Sequence, residues 1–198
     1  ANWNAVTDAT SYELEVYSMQ LGISPELVVN GGFETGNVSS WTFESAMNQV
    51  ASTTQKHTGT YALYSTVVAT KNLKQTITVV SGETYTLGFW YYIDPASTGN
   101  GFRVWTTVGA DIKLPSSSTF FDTTGSWQYV EQDFTASATS LELNFRLYNG
   151  VRLYLDDISV RLKATSPVET PVAGSPFTIT APTTSYDVTG LDAATAYF

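Results

Sequence analysis

The chain reads as an all-β protein folded as a two-layer sandwich, and three observations point there. Short runs alternate apolar and polar residues with a period of two. Clusters of Gly, Pro, Asn and Ser separate those runs at the spacing of strands and turns. No stretch carries a helical apolar repeat. Composition agrees: of 198 residues only 14% are charged, while 42% are hydrophobic and 14% aromatic. Thr, Ser, Val and Tyr, which suit a pleated and half-buried surface, are abundant. The length permits one large β domain or two small ones.

Taken in order, Tyr12–Tyr17 alternates, with Tyr12, Leu14 and Val16 on one face of a strand, and Leu21–Glu26 reads as a connector. Strands are predicted over Asn48–Thr54, Tyr61–Thr70 and Leu73–Val80, with a turn at Lys56–Gly59. Tyr85–Ile93 is the most aromatic strand. Its parity sets Tyr85, Leu87, Phe89 and Tyr91 on one face and Trp90 and Tyr92 on the other. Phe102–Val108 carries Arg103 and Trp105 on one side, Pro115–Thr119 is a polar loop, and Trp127–Phe134 is a further strand. Leu141–Tyr148 alternates, with Leu141, Leu143, Phe145 and Leu147 inward and Glu142, Asn144, Arg146 and Tyr148 outward. Asn149-Gly150 is a hairpin signal, making Val151–Leu162 the returning strand. Thr165–Ser175, with Pro167, Pro171 and Gly174, reads as a linker, followed by strands at Phe177–Thr180 and Ser185–Val188. Trp41 and Trp127 sit beside turns and read as structural plugs.

Charge and side-chain chemistry narrow the function. A net charge of −9 with scattered Lys and Arg argues against a phosphate backbone as partner. The absence of Cys excludes disulfides and thiolate metal sites. No apolar run is long enough to span a bilayer, so membrane insertion is not expected. The chain opens and closes in mid-pattern and reads as a piece of a longer exported protein, secreted or displayed on a bacterial cell surface. Catalysis has little support: His57 is the sole histidine, and no G-x-S-x-G or H-E-x-x-H motif occurs. Glu131 and Asp133 share a strand face, but no further glutamate accompanies them.

Two resemblances add to this reading. WNAVTDATSYELEVY near the start is similar to the middle of a fibronectin type III domain, and TSYDVTGLDAATAYF near the end to its later part. In such domains a corner tyrosine bonds back to nearby backbone. Residues 1–22 and 164–198 are therefore expected to be split fibronectin type III-like segments around a central domain at 25–163. That central domain resembles the jelly-roll carbohydrate-binding modules of families 4, 9 and 22, through NGGFETG…W, HTGTYAL, LKQTITVVSGETYTLGFWYY and LYLDDISV in that order.

The resemblance implies a jelly-roll β-sandwich with a concave glycan-binding sheet and a structural calcium ion. Carried over residue by residue, Glu34 and Asp156 would give carboxylates, and Gly32 and the turn containing Thr60 backbone carbonyls, a hard-oxygen set of the kind calcium accepts. Asp157 could stand in for Asp156, and Glu34 could instead cap backbone amides. Sugar binding needs aromatic faces with planar polar groups beside them. Trp90, Tyr92, Arg103, Trp105, Asn144, Arg146 and Tyr148 fit by type and parity, though aromatic strand residues also fill cores. The expected function is non-catalytic binding of a polysaccharide by a monomeric module linked to neighbouring domains. The alternative is a structural or adhesion spacer without sugar affinity.

Overall fold

A computed structural model describes residues 1–21, 24–115, 119–163, 167–192 and 196–197. Its strands are β1 Ser11–Leu14, β2 Tyr17–Leu21, β3 Thr42–Phe43, β4 Met47–Ser52, β5 Ala62–Val67, β6 Lys71–Thr78, β7 Thr84–Ile93 and β8 Phe102–Val108. There follow β9 Lys113–Leu114, β10 Gln128–Thr135, β11 Ser140–Leu147, β12 Arg152–Leu162, β13 Pro167–Pro171, β14 Phe177–Thr180 and β15 Ala196–Tyr197. No helix occurs among the described residues. The chain divides into two compact units, one made of Ala1–Ile23 with Ala164–Phe198 and the other of Ser24–Lys163.

The larger unit is an antiparallel jelly-roll sandwich of two five-stranded sheets, in the orders β10-β7-β12-β5-β4 and β3-β6-β11-β8-β9. Period-two alternation built it. On β7, Tyr85, Leu87, Phe89, Tyr91 and Ile93 are all buried, and on β11, Leu141, Leu143, Phe145 and Leu147 meet them from the other sheet. Phe89 makes edge-to-face contacts with Phe102 and Phe145 at 6.2 and 5.2 Å between ring centroids, joining the layers. Trp41 is a plug, with its ring on Phe33 and Phe145 and its indole N–H donating to the Asn30 carbonyl.

The segment before the glycine pair runs along β12 beyond the reach of β5. Leu27 N–H donates to the Val160 carbonyl (3.0 Å) and Ile158 N–H to the Gly31 carbonyl (3.1 Å). Glu26 joins the same seam, accepting from Val160 N–H and pairing with Arg161. Gly31 must be glycine, because a Cβ there would penetrate the Ile158 carbonyl.

Three expectations are corrected. Asn149-Gly150 does not close a hairpin: β11 already has β6 and β8 on its two edges, so β12 crosses to the other sheet and pairs with β7 and β5. Ser185–Val188 is not a strand: Ser185 makes an isolated bridge to Asn2, and Tyr186 exchanges hydrogen bonds with Ala1. Within the presumed linker, Pro167–Pro171 is β13, the edge strand of a sheet ordered β13-β2-β15. An edge tolerates proline because one row of N–H groups needs no ladder partner. In the same smaller unit β1 pairs with β14. Residues 22–23 of the expected connector, 116–118 of the expected polar loop, 165–166 at the start of the expected linker and 193–195 of the fibronectin-like tail lie outside the described residues.

Replacing Gly31 by Ala is expected to destabilise the sandwich by about 1–3 kcal/mol or more, since the clash is with backbone and cannot be relieved by a rotamer. A lowered urea midpoint with an unchanged slope is the expected reading.

Candidate functional site

Gly32, Glu34, Thr60 and Asp156 lie together where the turn between β4 and β5 folds over the outer face of the β7–β12 ladder. Asp156 has no solvent exposure. Its carboxylate accepts N–H bonds from His57 (2.8 Å), Thr58 (3.2 Å) and Asp157 (2.8 Å). Burial pushes the Asp156 carboxyl up to about 6, against the pull of those donors. Glu34 accepts from the amides of Thr60 and Tyr61 at 2.9–3.0 Å, so it caps the far end of the same turn. Gly59, at φ +59°, faces the Glu34 carboxylate so closely that a Cβ would overlap it. A Cβ on Gly32 would lie 3.7 Å from Glu34 Cγ and 3.8 Å from Asp156 Oδ1. Asp157, left-handed at φ +49° beside the register break in β12, binds His57 Nδ1 (2.8 Å) and the Thr58 hydroxyl (2.7 Å).

As to a cation, Glu34, Asp156 and Asp157 all bond to the turn, and no Lys or Arg pairs with them among the described residues. Those residues hold no metal-type cluster of three His, Cys, Asp or Glu side chains. The turn presents amide hydrogens to the carboxylates, which is the capping arrangement.

The seven residues expected to bind sugar do not share a face, and this is a correction. Trp90 and Tyr92 stand on the outer face of β10-β7-β12-β5-β4, whereas Arg103, Trp105, Asn144, Arg146 and Tyr148 belong to the outer side of β3-β6-β11-β8-β9. Strand parity separates core from surface but does not say which sheet a strand will join. On the first face, aromatic rings run across four strands. Tyr129 packs on Trp90 (5.1 Å between centroids), Tyr92 on Tyr154 (5.8 Å) and Tyr154 on Tyr64 (4.6 Å). Trp127, expected to be a plug, instead joins this surface by contacting Tyr92 and His57. The His57 imidazole stacks on Trp90 at 3.7 Å and 14°, taking one face of the indole. Burial, and then the hydrogen bond to Glu131, raises the Tyr129 phenol to about 12. Asp133 pairs with Lys163 and Thr86, so it and Glu131 each have a structural partner.

On the second face, Arg146 lies over Trp105 with its guanidinium carbon 3.9 Å from the ring centroid. Its Nε donates to Asn72 Oδ1 (3.0 Å), and Asn72 Nδ2 donates to Glu44 (2.6 Å). The hydrogen bond from Asn72 lowers the Glu44 carboxyl. Lys74 pairs with Glu142 at 2.9 Å. Asn144, opposite Trp105 across the ladder, is only 4% exposed and lies beneath this layer. Arg103, Trp105, Thr106, Lys113, Arg146 and Tyr148 line a pocket of about 250 Å³. Lys113, which lines it, and Asn72, which holds Arg146 beside it, were not legible: one sits on a two-residue strand, the other on a strand whose apolar parity drew attention to its buried side.

Residues 25–151 match the family described as Carbohydrate binding domain, CBM 4/9. The chain belongs to this family. Solved carbohydrate-binding modules share its fold. A Family 16 Carbohydrate Binding Module-2 superposes with a TM-score of 0.54 at 17% identity, over 68% of this chain and 98% of that one. TmCBM61, solved in complex with β-1,4-galactotriose, gives 0.52 at 20% identity over 71% and 100%. The CBM22-1 xylan-binding domain of Xyn10C from Paenibacillus barcinonensis gives 0.53 at 16% identity over 72% and 97%. No curated protein sequence matches the chain.

In this carbohydrate-binding domain the acidic turn is a testable structural element. Asp156→Ala strands three amide donors under the turn and is expected to cost about 3 kcal/mol, near the upper cost of one unsatisfied buried group. Equilibrium chemical denaturation measures it. The Trp90 indole fluorescence should shift as His57 lifts away.

Proposed function

We propose that the chain is a non-catalytic glycan-binding module whose sugar site is the Trp105 pocket. One observation carries this: an indole and two guanidinium groups from β8 and β11, with the Tyr148 phenol just past β11, line a single open depression on the solvent side of a sheet. An indole gives a pyranose an apolar surface, and planar guanidinium and amide groups beside it give hydroxyls fixed partners. Xylan and β-1,4-galactan, named for the structural relatives, are the first ligands to assay. Trp105→Ala is expected to weaken binding at least tenfold by calorimetry with the melting temperature held within about 2 °C. Trp90→Ala should leave affinity within twofold, because Trp90 stands on the other sheet, away from the Trp105 pocket. Loss of binding on Trp90→Ala alone would move the site to the other sheet.

A second reading, a spacer module without sugar affinity, is favoured by the fact that each indole has a side chain stacked on one face. A broad glycan array without any hit would establish it.

A calcium ion bound by Glu34 and Asp156, with carbonyls of Gly32 and Thr60, belongs to this proposal. The support is a group of three carboxylates at the turn that no Lys or Arg pairs with among the described residues. Bound there, the ion would neutralise the buried Asp156 and the exposed Glu34 carboxylates and tie the start of the sandwich to its end. Ligand bound to the native state raises stability by RT ln(1 + [L]/Kd). The melting temperature should therefore fall on exhaustive chelation and recover with added calcium; an unchanged value makes the turn a pure amide cap.

The smaller unit is proposed to be a fibronectin type III-like module interrupted by the sandwich. Support comes from Tyr197, whose hydroxyl accepts the Asp192 N–H at 2.7 Å in the manner of a corner tyrosine. A secreted or surface-bound multidomain host, in which both units serve neighbouring domains, fits this arrangement.

A further inference from the structure

Resting on the reading of the Trp105 pocket as the sugar site, we infer that Asn72 is a positioning residue of that site. Together with Glu44 it locks Arg146 against the indole. Asn72 does not line the pocket and acts through the guanidinium that does.

Hydrogen-bond chemistry fixes which way the Asn72 amide faces. Glu44, one residue past β3, exchanges three bonds with Asn72 on β6. Glu44 N–H donates to the Asn72 carbonyl (3.1 Å), and its carboxylate accepts from the Asn72 backbone N–H (3.0 Å) and from Nδ2 (2.6 Å). A carboxylate can only accept, and the Arg146 Nε–H can only donate. One orientation of the amide satisfies both neighbours, with Nδ2 toward Glu44 and Oδ1 toward Nε (3.0 Å). Asn72 and Arg146 are directly opposite across the β6–β11 ladder, so register brings them together. An amide carries its donor and its acceptor side by side on one rigid plane. A carboxylate in its place would face Glu44 with a second negative charge, and an alkyl group would bond to neither side. The bonds from Asn72, and after them the charges of Lys71 and Arg146, hold the Glu44 carboxyl below its usual range.

The consequence reaches the indole. Arg146 lies diagonal to Trp105 across the β11–β8 ladder, with its guanidinium carbon 3.9 Å from the ring centroid. A long arginine side chain loses many rotamers when it is held in one place. Here Asn72 and Glu44 impose that loss before any ligand arrives, so a sugar meets a guanidinium already set in its plane. Nε is occupied, whereas the terminal amino groups of Arg146 make no hydrogen bond to protein among the described residues. Those groups are the donors left for sugar hydroxyls.

The test reads affinity and the indole separately. Calorimetry gives the affinity for xylan and β-1,4-galactan oligosaccharides. Fluorine NMR of protein labelled with fluorotryptophan reports on Trp105, its signal among the five assigned with Trp105→Phe. Asn72→Leu is expected to weaken binding about fivefold, within the range by which neighbouring groups couple, and to move the Trp105 signal. In an Arg146→Ala background it should weaken binding no further. Glu44→Gln combined with Asn72→Asp reverses one hydrogen bond and keeps the others, the acceptor at the Arg146 Nε included. That pair should restore affinity to within about twofold. Asp133→Ala breaks a polar cluster with Thr86 and Lys163 on the other sheet and should change neither reading. Unmoved signals from the four other indoles show that a variant folds, and Glu44→Ala, which frees the amide to turn, repeats the test from the far end. Unchanged binding in Asn72→Leu would overturn the inference. Tighter binding would also overturn it, by making Arg146 a plug that competes with the sugar. So would an equal loss on Asp133→Ala, or a charge swap that restores nothing. No affinity of the unmodified protein for any glycan would overturn the sugar site, and the fluorine signal would then still report whether Asn72 holds Arg146 on the indole.

Discussion

A carboxylate without solvent access ties the middle of the sandwich to its end. Asp156, on β12, spends its lone pairs on the amides of His57, Thr58 and Asp157, and Glu34 holds the other end of the same turn. Burying a charge is tolerable only when donors replace its water. Here three backbone N–H groups do so, and two of them, from His57 and Thr58, belong to a turn that would otherwise be a loose loop. Gly59 is required where the turn meets Glu34, and β12 breaks register beside Asp157. Position of the turn, in turn, decides where His57 lies, and His57 decides how much of Trp90 is open.

The two outer faces therefore differ in chemistry although both are β surfaces. One is a ladder of rings crossing four strands, partly roofed by the acidic turn. The other is sparse in rings and rich in planar polar groups arranged around Trp105. Family membership and the solved relatives account for the frame that holds these faces apart. The frame does not assign a ligand, because the residues that would touch one are surface residues that the core does not constrain.

Much of the fold was legible in the sequence, and the reason is periodicity. Alternation along Tyr85–Ile93 and Leu141–Tyr148 separates buried from outward side chains residue by residue, and the structure keeps that division. Asn144 is the instructive exception, outward by parity yet covered by its neighbours. Local signals misled where a long-range partner decided. Asn149-Gly150 has hairpin chemistry, but β11 had no free edge to offer. Trp127 has the setting of a plug, but β10 lies beside β7 and brings the ring to an aromatic surface.

By itself the sequence determined the all-β class, the inward faces, the acidic turn residues and the family resemblance, because each depends on spacing along the chain or on residue type. Only the tertiary structure decided that Trp90 and Trp105 stand on different sheets, that Asp156 is capped by amides, and that Arg103 faces Arg146. Those depend on which strand edges pair, and edge pairing is a contest among distant segments that no local pattern records.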